Sequence, residues 1–286
     1  MPELPEVETI RRGLVPRLVG SRIRSVDVLA PKLARGNVTD LHGRTIAEVR
    51  RHGKLLVFIL DNKLAFTVHL KMTGQLLWRG EGKDAVMGGH PSQGYLDPLP
   101  HKHTRIVINF EDGSTLFFND LRMFGHLTVL TEEALNDHVF VNALGPEPLE
   151  EKFTVEYLQA RLQRKAKVSL KVFLLDQTNI AGLGNIYADE SCFRAGILPM
   201  RLAGSLSQKE VELLHGAIRE TLELALKFGG SSAKDYLNAI GDKGTYLQVA
   251  NVYHRTGLPC TRCKVGTIER IKLAGRSTHF CPNCQH

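Results

Sequence analysis

Gly145-Pro146-Glu147-Pro148 is where the pattern of this 286-residue chain changes, and that change decides the fold. A glycine and two prolines within four residues interrupt both helix and sheet hydrogen bonding, so the stretch marks a boundary. Upstream, from about Ser25 to Leu130, short β-rich runs alternate with turns. The runs are Ile46–Val49, Leu55–Leu60, Leu64–Leu70, Thr104–Phe110, Ser114–Phe118 and His126–Leu130, with turns at Asp61-Asn62 and Glu111-Asp112-Gly113. A β-sandwich is expected there. Downstream the period becomes helical over Thr154–Arg164, Ser169–Leu175, Asn185–Ala195 and Ser207–Phe228, where Ser207 and Glu210 form a capping box, and helix is expected to near Asn238. Arg79 to His103, rich in glycine, proline and histidine without periodicity, reads as a long mobile loop. Its His90, His101 and His103 have no carboxylate or cysteine pair at ligand spacing, which argues against a metal there.

The length exceeds that of a usual single domain, so two bodies with their own cores are expected, plus a small module. The formal charge is +7 and the pI about 9.2, which favours a polyanionic partner. The excess is concentrated near the C-terminus: from Asn251 to His286, six basic residues stand against Glu269 alone, giving +5. No signal peptide is readable, and the most apolar stretch, Leu55 to Leu70, is broken by Asp61, Asn62 and Lys63, so no membrane span is expected. Four of the five cysteines belong to one motif, and Cys192 reads as a buried apolar residue. That usage fits a reducing, cytoplasmic compartment without disulfides.

That motif is Cys260-x2-Cys263, a 17-residue gap, and Cys281-x2-Cys284, with a hairpin expected from Thr267–Leu273, a turn at Ala274-Gly275, and Arg276–Phe280. Four thiolates close a tetrahedral shell with no open position, so one structural Zn2+ is expected to supply folding energy to a segment too small for a core. With the ion and thiolates counted, the segment stays at about +3, so its hairpin suits phosphate. The turn Asn179-Ile180-Ala181-Gly182-Leu183-Gly184-Asn185 between two helices could also present amides to a phosphate, or serve packing alone.

The other terminus begins Met1-Pro2-Glu3-Leu4-Pro5-Glu6. Val7, Ile10, Leu14 and Leu18 recur at helical spacing, so a helix is expected after Pro5, at least until Pro16 interrupts it. Proline and glutamates there also suit an ordinary first turn. Chemically, removal of Met1 would leave Pro2 as a secondary amine. At neutral pH roughly one terminal amine in six is free base, against under about one lysine in a thousand. Such an amine adds to an aldehyde-level sugar carbon to form an iminium, which loosens neighbouring protons and allows elimination. Glu3 beside it is suited to general acid–base work.

Taken together, Pro2-Glu3-Leu4-Pro5-Glu6-Val7-Glu8-Thr9, Asp120-Leu121-Arg122-Met123-Phe124-Gly125, Gly182-Leu183-Gly184-Asn185-Ile186-Tyr187-Ala188 and the terminal ribbon resemble the bacterial formamidopyrimidine-DNA glycosylases nearly end to end. The resemblance implies an α+β protein in three parts: a helix plus β-sandwich over residues 1–145, a helical helix-two-turn-helix domain over 146–250, and a zinc-ribbon hairpin over 251–286. It implies a monomeric bacterial glycosylase and AP lyase, active at the nucleoid on double-stranded DNA that contains oxidised purines or abasic sites, cutting by β,δ-elimination. It implies Pro2 as Schiff-base nucleophile, Glu3 as acid, Lys54 and Arg276 as further catalytic-site residues, and Glu6 as support. Because the damaged base must leave the stack, the gap must be filled, and the resemblance assigns this to Met72, Arg122 and Phe124. His69, Asn185, Tyr253 and Arg276 match phosphate-gripping residues, and Gly241 to Gln248 resembles a flexible cover over the flipped base.

The sequence departs from the family pattern in three places: the long Arg79–His103 segment, Met123 and Lys71 where a basic residue and a glycine are usual, and His254 where a glycine follows the tyrosine. Two rivals remain: an endonuclease VIII-like oxidised-pyrimidine glycosylase, against which Leu4 argues because that group carries glycine there, and a lesion-binding protein without catalysis.

Overall fold

The protein is described by a computed structural model covering residues 1–80, 85–89, 98–136, 139–231 and 244–286. The chain packs as two compact units. The first holds Met1–Asn142 together with the described ends, Gly229–Ser231 and Gly244, of a later segment; the second holds Ala143–Phe228 and Thr245–His286. Among the described residues no helix is long and apolar enough to cross a membrane.

The first unit opens with helix α1 (Leu4–Leu18), followed by strands β1 (Ile23–Val28), β2 (Ala34–Arg35), β3 (Ile46–His52), β4 (Leu55–Leu60), β5 (Leu64–His69), β6 (Gly74–Arg79), β7 (Ala85–Gly89), β8 (Thr104–Phe110), β9 (Thr115–Asp120) and β10 (His126–Thr131). They form two five-stranded sheets, ordered β1-β8-β9-β6-β7 and β2-β10-β5-β4-β3. Alternate residues face inward, so Leu76, Trp78, Ile106, Ile108, Phe110, Leu116 and Phe118 of one sheet share a core with Val49, Leu56, Phe58, Leu60, Phe66, Val68 and Leu127 of the other. Val7, Ile10, Leu14 and Leu18 of α1 join that core. Leu55, Val57 and Ile59 pack on the other face of β4 with Leu135 of the short helix α2 (Glu132–Asn136), which precedes α3 (Val139–Asn142). Covered on both faces, β4 is buried throughout, which explains its unbroken apolar run.

Two expectations are corrected here. Helix α1 continues through Pro16 to Leu18. Pro16 lies in the last turn, where only one hydrogen bond is lost, the Arg17 guanidinium donates to the Gly13 carbonyl at 3.1 Å, and fully buried Leu18 anchors the end. The Arg79–His103 segment, read as a loop, contains β7, paired antiparallel to β6 with Leu76 opposite Gly88. Its glycines hid the strand because they serve packing: a Cβ on Gly88 would lie 2.2 Å from Ile10 Cγ1 of α1. His90 lies outside the described residues.

The second unit contains α4 (Val155–Arg164), α5 (Leu170–Leu175), α6 (Asn185–Ala195), α7 (Gln208–Lys227) and α8 (Tyr246–Val249), then the hairpin β11 (Glu269–Leu273) and β12 (Arg276–Phe280). The expected Ser207–Glu210 capping box starts α7. Leu158, Leu162, Phe173, Leu183, Leu214, Ile218 and Leu222 build the helical core. The end of the helix expected near Asn238, and Gly241 to Lys243 of the expected cover, lie outside the described residues. The rest of that cover belongs to α8 and its approach: Tyr246 is buried with its ring 5.2 Å from that of Tyr187.

Candidate active site and nucleic-acid interface

Pro2 and Glu3 are buried at the head of α1, behind a half-exposed Met1. Glu3 is extended and caps the helix, and its amide donates to Glu6 Oε2 at 2.8 Å. The other oxygen of Glu6 accepts from the Ser231 amide at 2.7 Å and the Ser231 hydroxyl at 3.1 Å. Gly230 sits at φ +87°, and a Cβ there would meet Glu6 Oε1 at 2.8 Å, so glycine is required. Glu6 thus fixes both the backbone that carries Glu3 and the Gly230-Ser231 segment.

Lys54 lies in the β3–β4 turn, 6% exposed, next to Gly53 at φ +57°. Glu8 ties that hairpin to α1. Its carboxylate accepts from Arg11 and Arg12 at 2.9 Å and from Arg51 Nε at 3.1 Å, while Arg51 also donates to the Gly53 carbonyl and Arg11 to the Val49 carbonyl. Burial alone would raise the Glu8 pKa, but the Arg11 and Arg12 hydrogen bonds and the Arg51 charge bring it down to about 2. Sequence reading gave Glu8 no anchoring role; Arg11 and Arg12 at helical spacing were the available signal, and Arg51 gave none.

His69 ends β5 opposite Leu55 and His126, 6% exposed. Burial first, then the charges of Lys71, His126 and Lys54, push its pKa down to about 3. The ring is therefore neutral, and its Nδ1 accepts from the Lys71 amide at 3.1 Å, so the proton sits on Nε2.

The loop before β6 carries partly buried Met72, and the loop between β9 and β10 carries exposed Arg122 and Phe124, the guanidinium lying 4.7 Å from the ring centre. Buried Asp120 laces the two loops together. Its Oδ1 accepts from the Thr73 hydroxyl and the Arg122 amide, its Oδ2 from the Gly125 amide at 2.7 Å, and Thr73 Oγ1 accepts from the Arg122 amide at 3.0 Å. Met123, left-handed at φ +57°, turns its side chain onto the core, leaving Arg122 and Phe124 outward. The structure thus brings Met72, Arg122 and Phe124 onto one braced pair of loops, through two residues, Asp120 and Thr73, whose bracing roles sequence reading missed.

In the second unit, Asn185 begins α6 and donates from Nδ2 to the Ser277 carbonyl at 3.1 Å, beside exposed Arg276 at the start of β12. Tyr253 stands with its ring 4.8 Å from that of His279. In the glycine turn, the Gly182 amide is engaged by Gln177 Oε1 at 3.0 Å and the Leu183 carbonyl by Gln177 Nε2 at 2.8 Å. At least that amide serves the turn itself, the packing alternative.

Cys260, Cys263, Cys281 and Cys284 converge with all four sulfurs within 4.8 Å of one another, the only such cluster among the described residues. A tetrahedral zinc shell with Zn–S near 2.3 Å has edges of about 3.8 Å. The Cys260–Cys284 and Cys263–Cys281 sulfur separations are 3.6 and 3.9 Å. Amides of Arg262 and Gly266 donate to Cys260 and Cys263 at 3.3 and 3.2 Å, the outer support that thiolate ligands need. The Gly266 amide lowers the Cys263 pKa to about 6, whereas burial and the crowding of the other thiols raise that of Cys284 to about 12. Four thiolates this close require a cation, so these residues fit one Zn2+ and leave no position for substrate. Around them, among the described residues, Phe193, Val252, Ile268 and the cysteines themselves form a small core.

Comparison with known proteins agrees with this geometry along the chain. Sequence profiles match the formamidopyrimidine-DNA glycosylase N-terminal domain over residues 1–127, the H2TH domain of the same enzymes over 144–236, and the zinc finger found in FPG and IleRS over 257–286. A protein of Geobacillus kaustophilus named formamidopyrimidine-DNA glycosylase is 44% identical over 292 residues, covering all of both chains. A crystal structure of a Lactococcus lactis Fpg variant with Fapy-dG containing DNA superposes with a TM-score of 0.88 at 36% identity, covering 100% of each chain. Wild-type Lactococcus lactis Fpg with DNA containing an oxidised pyrimidine gives 0.86 at 36% identity, again over 100% of each. Fold, ribbon and full-length similarity lead to one assignment: the chain belongs to the formamidopyrimidine-DNA glycosylase family.

Proposed function

We propose that this protein excises oxidised purines, 8-oxoguanine and formamidopyrimidines, from duplex DNA and then cleaves the strand, using the imino group of Pro2 freed by removal of Met1. The observation that supports this most directly is the burial of Pro2 and Glu3 at the head of α1, with the Glu3 backbone held by Glu6. In this reading the Pro2 nitrogen attacks the sugar carbon that bears the damaged base, and that base departs. Glu3 protonates the sugar ring oxygen as the ring opens to an iminium, and then accepts a proton in elimination of the 3′ phosphate. A second elimination releases the 5′ phosphate. Lys54 contributes positive charge near the same helix end, through the hairpin that Glu8 and Arg51 fasten to α1.

Met72, Arg122 and Phe124 fill the space vacated by the flipped nucleotide, which suits an exposed aromatic ring with a stacked guanidinium on braced loops. His69, with neutral Nε2–H, and Asn185, Tyr253 and Arg276 hold phosphates. The cysteine-held Zn2+ keeps the hairpin folded and takes no part in bond breaking. The partner is double-stranded DNA carrying oxidised bases or abasic sites, met by a monomer in the bacterial cytoplasm.

One observation favours a broader substrate range, namely the similarity to a Lactococcus lactis enzyme held with an oxidised pyrimidine. Excision from 8-oxoguanine and thymine-glycol duplexes, measured side by side, decides between the readings. Faster release of 8-oxoguanine is expected; release of thymine glycol alone would overturn the purine preference.

A further inference from the structure

Two neighbouring carboxylates in the middle of α6, Asp189 and Glu190, are 0% and 1% exposed, and the chemistry above uses neither. Asp189 Oδ1 accepts from Lys171 Nζ at 2.6 Å, and its Oδ2 accepts from the His279 amide at 2.9 Å and meets His279 Nδ1 at 3.0 Å. Lys171 also donates to the Ser277 carbonyl at 2.6 Å, the same carbonyl that Asn185 reaches. Asp189 therefore grips β12 on the residues that follow Arg276. Glu190 accepts three successive backbone amides, those of Asn251, Val252 and Tyr253, between 2.8 and 3.1 Å, and the Asn251 side-chain amide at 3.2 Å. It grips the strap that carries Tyr253.

Burying an ion pair contributes little net stability, because desolvation offsets the attraction; apolar residues at these positions would serve a core as well. What the charges supply is a fixed geometry. Asn185 stands one helical turn before Asp189 on the same side of α6, so a single helix sets the positions of Asn185, Arg276 and Tyr253.

We infer that Asp189 and Glu190 are positioning residues that hold Arg276 and Tyr253 in register with Asn185 to form one phosphate-binding constellation. This rests on the functional reading above, and it assigns to α6 a role in DNA affinity separate from the chemistry at Pro2.

The test uses D189N, E190Q and the double variant K171M/D189L, which removes both charges together and leaves no stranded buried lysine. The probe is a duplex containing a tetrahydrofuran abasic-site analogue. In each variant Kd should rise on the order of tenfold, and the slope of log affinity against log salt should flatten by roughly 0.9 for each lost phosphate contact. Zinc content should stay at one ion per chain, and the single-turnover excision rate at saturating protein should stay within about twofold, a split that a general loss of structure does not produce. Hydrogen exchange in the DNA-free protein should quicken at Val252 and Tyr253 in E190Q, and at His279 in D189N.

Wild-type Kd in all three variants would overturn the inference, as would a rise in Kd matched by loss of zinc or by unfolding of the double variant. Wild-type protein that fails to bind the duplex would overturn the functional reading and this inference together, whereas binding equal in wild type and variants would sink the inference alone.

Discussion

The head of α1 and the C-terminal ribbon both hold polar groups still, by different physics. At the head of α1, Glu3, Glu6 and Glu8 are buried against a sandwich whose shared core draws on both sheets and the helix itself. The apolar mass there is large enough to cover charged groups, and hydrogen bonds within the unit satisfy Glu6 and Glu8. The ribbon has a cluster of a few side chains, its four cysteines among them, and is held by a metal shell, with Asp189 of α6 fixing β12 in place. Where a core is large, packing sets geometry; where it is small, coordination and buried charge replace it.

The sharpest way to break this contrast is to remove the metal. Binding to a structural site of this kind is worth about 10–16 kcal/mol, so chelation or Cys260→Ser should unfold β11 and β12 while leaving the sandwich intact. Hydrogen exchange checks this: fast exchange across the ribbon with unchanged protection in β4 and β8 is expected, and equal loss in both regions would erase the distinction. Next in size is Glu3→Gln. If the rigid α1 head exists for proton transfer, excision should slow by about 10²–10⁴-fold while DNA affinity stays close to wild type. Single-turnover kinetics and a binding titration separate the two effects.

Asp120→Ala tests whether packing alone sets the loops of the first unit. It strands the Thr73 hydroxyl proton and the Gly125 amide, while the Arg122 amide keeps Thr73 Oγ1, and leaving such groups unsatisfied should cost about 1–3 kcal/mol, read from urea unfolding. Excision should fall further than stability does, because Met72 and the Arg122–Phe124 pair lose their common brace.

These predictions turn on residues that differ greatly in how readable they were. The helices α4, α5, α6 and α7 and the β11–β12 hairpin follow from period, capping box and cysteine spacing, signals contained within a few turns of chain. β7 did not, because its glycines record the approach of Ile10, some eighty residues away in sequence. Pro2 and Glu3 stood out through local chemistry and resemblance, Arg122 and Phe124 through resemblance alone. Asp120, Arg51, Asp189 and Glu190 act through partners distant in sequence, such as Thr73, Glu8, His279 and Tyr253, and no local pattern encodes those pairings.

The smallest effect concerns pH. The Glu8 pKa, about 2 in the folded chain, lies below its ordinary value of 4.5, so its contribution is full above about pH 4.5 and is lost as pH falls from there towards 2. Urea midpoints of wild type and Glu8→Gln should differ by a constant amount at neutral pH and converge over that window; a gap that persists at pH 2 would show that the arginine cluster does not need the charge.

The bond between Pro2 and the sugar of the damaged nucleotide is the step on which the proposed chemistry rests. Borohydride added during incubation with 8-oxoguanine duplex, with intact mass measured on the same protein, tests it. Protein lacking Met1 should be trapped as a covalent DNA complex, and neither Pro2→Gly nor Met1-retaining protein should be. An equal yield of trapped complex from all three would show that another amine performs the chemistry.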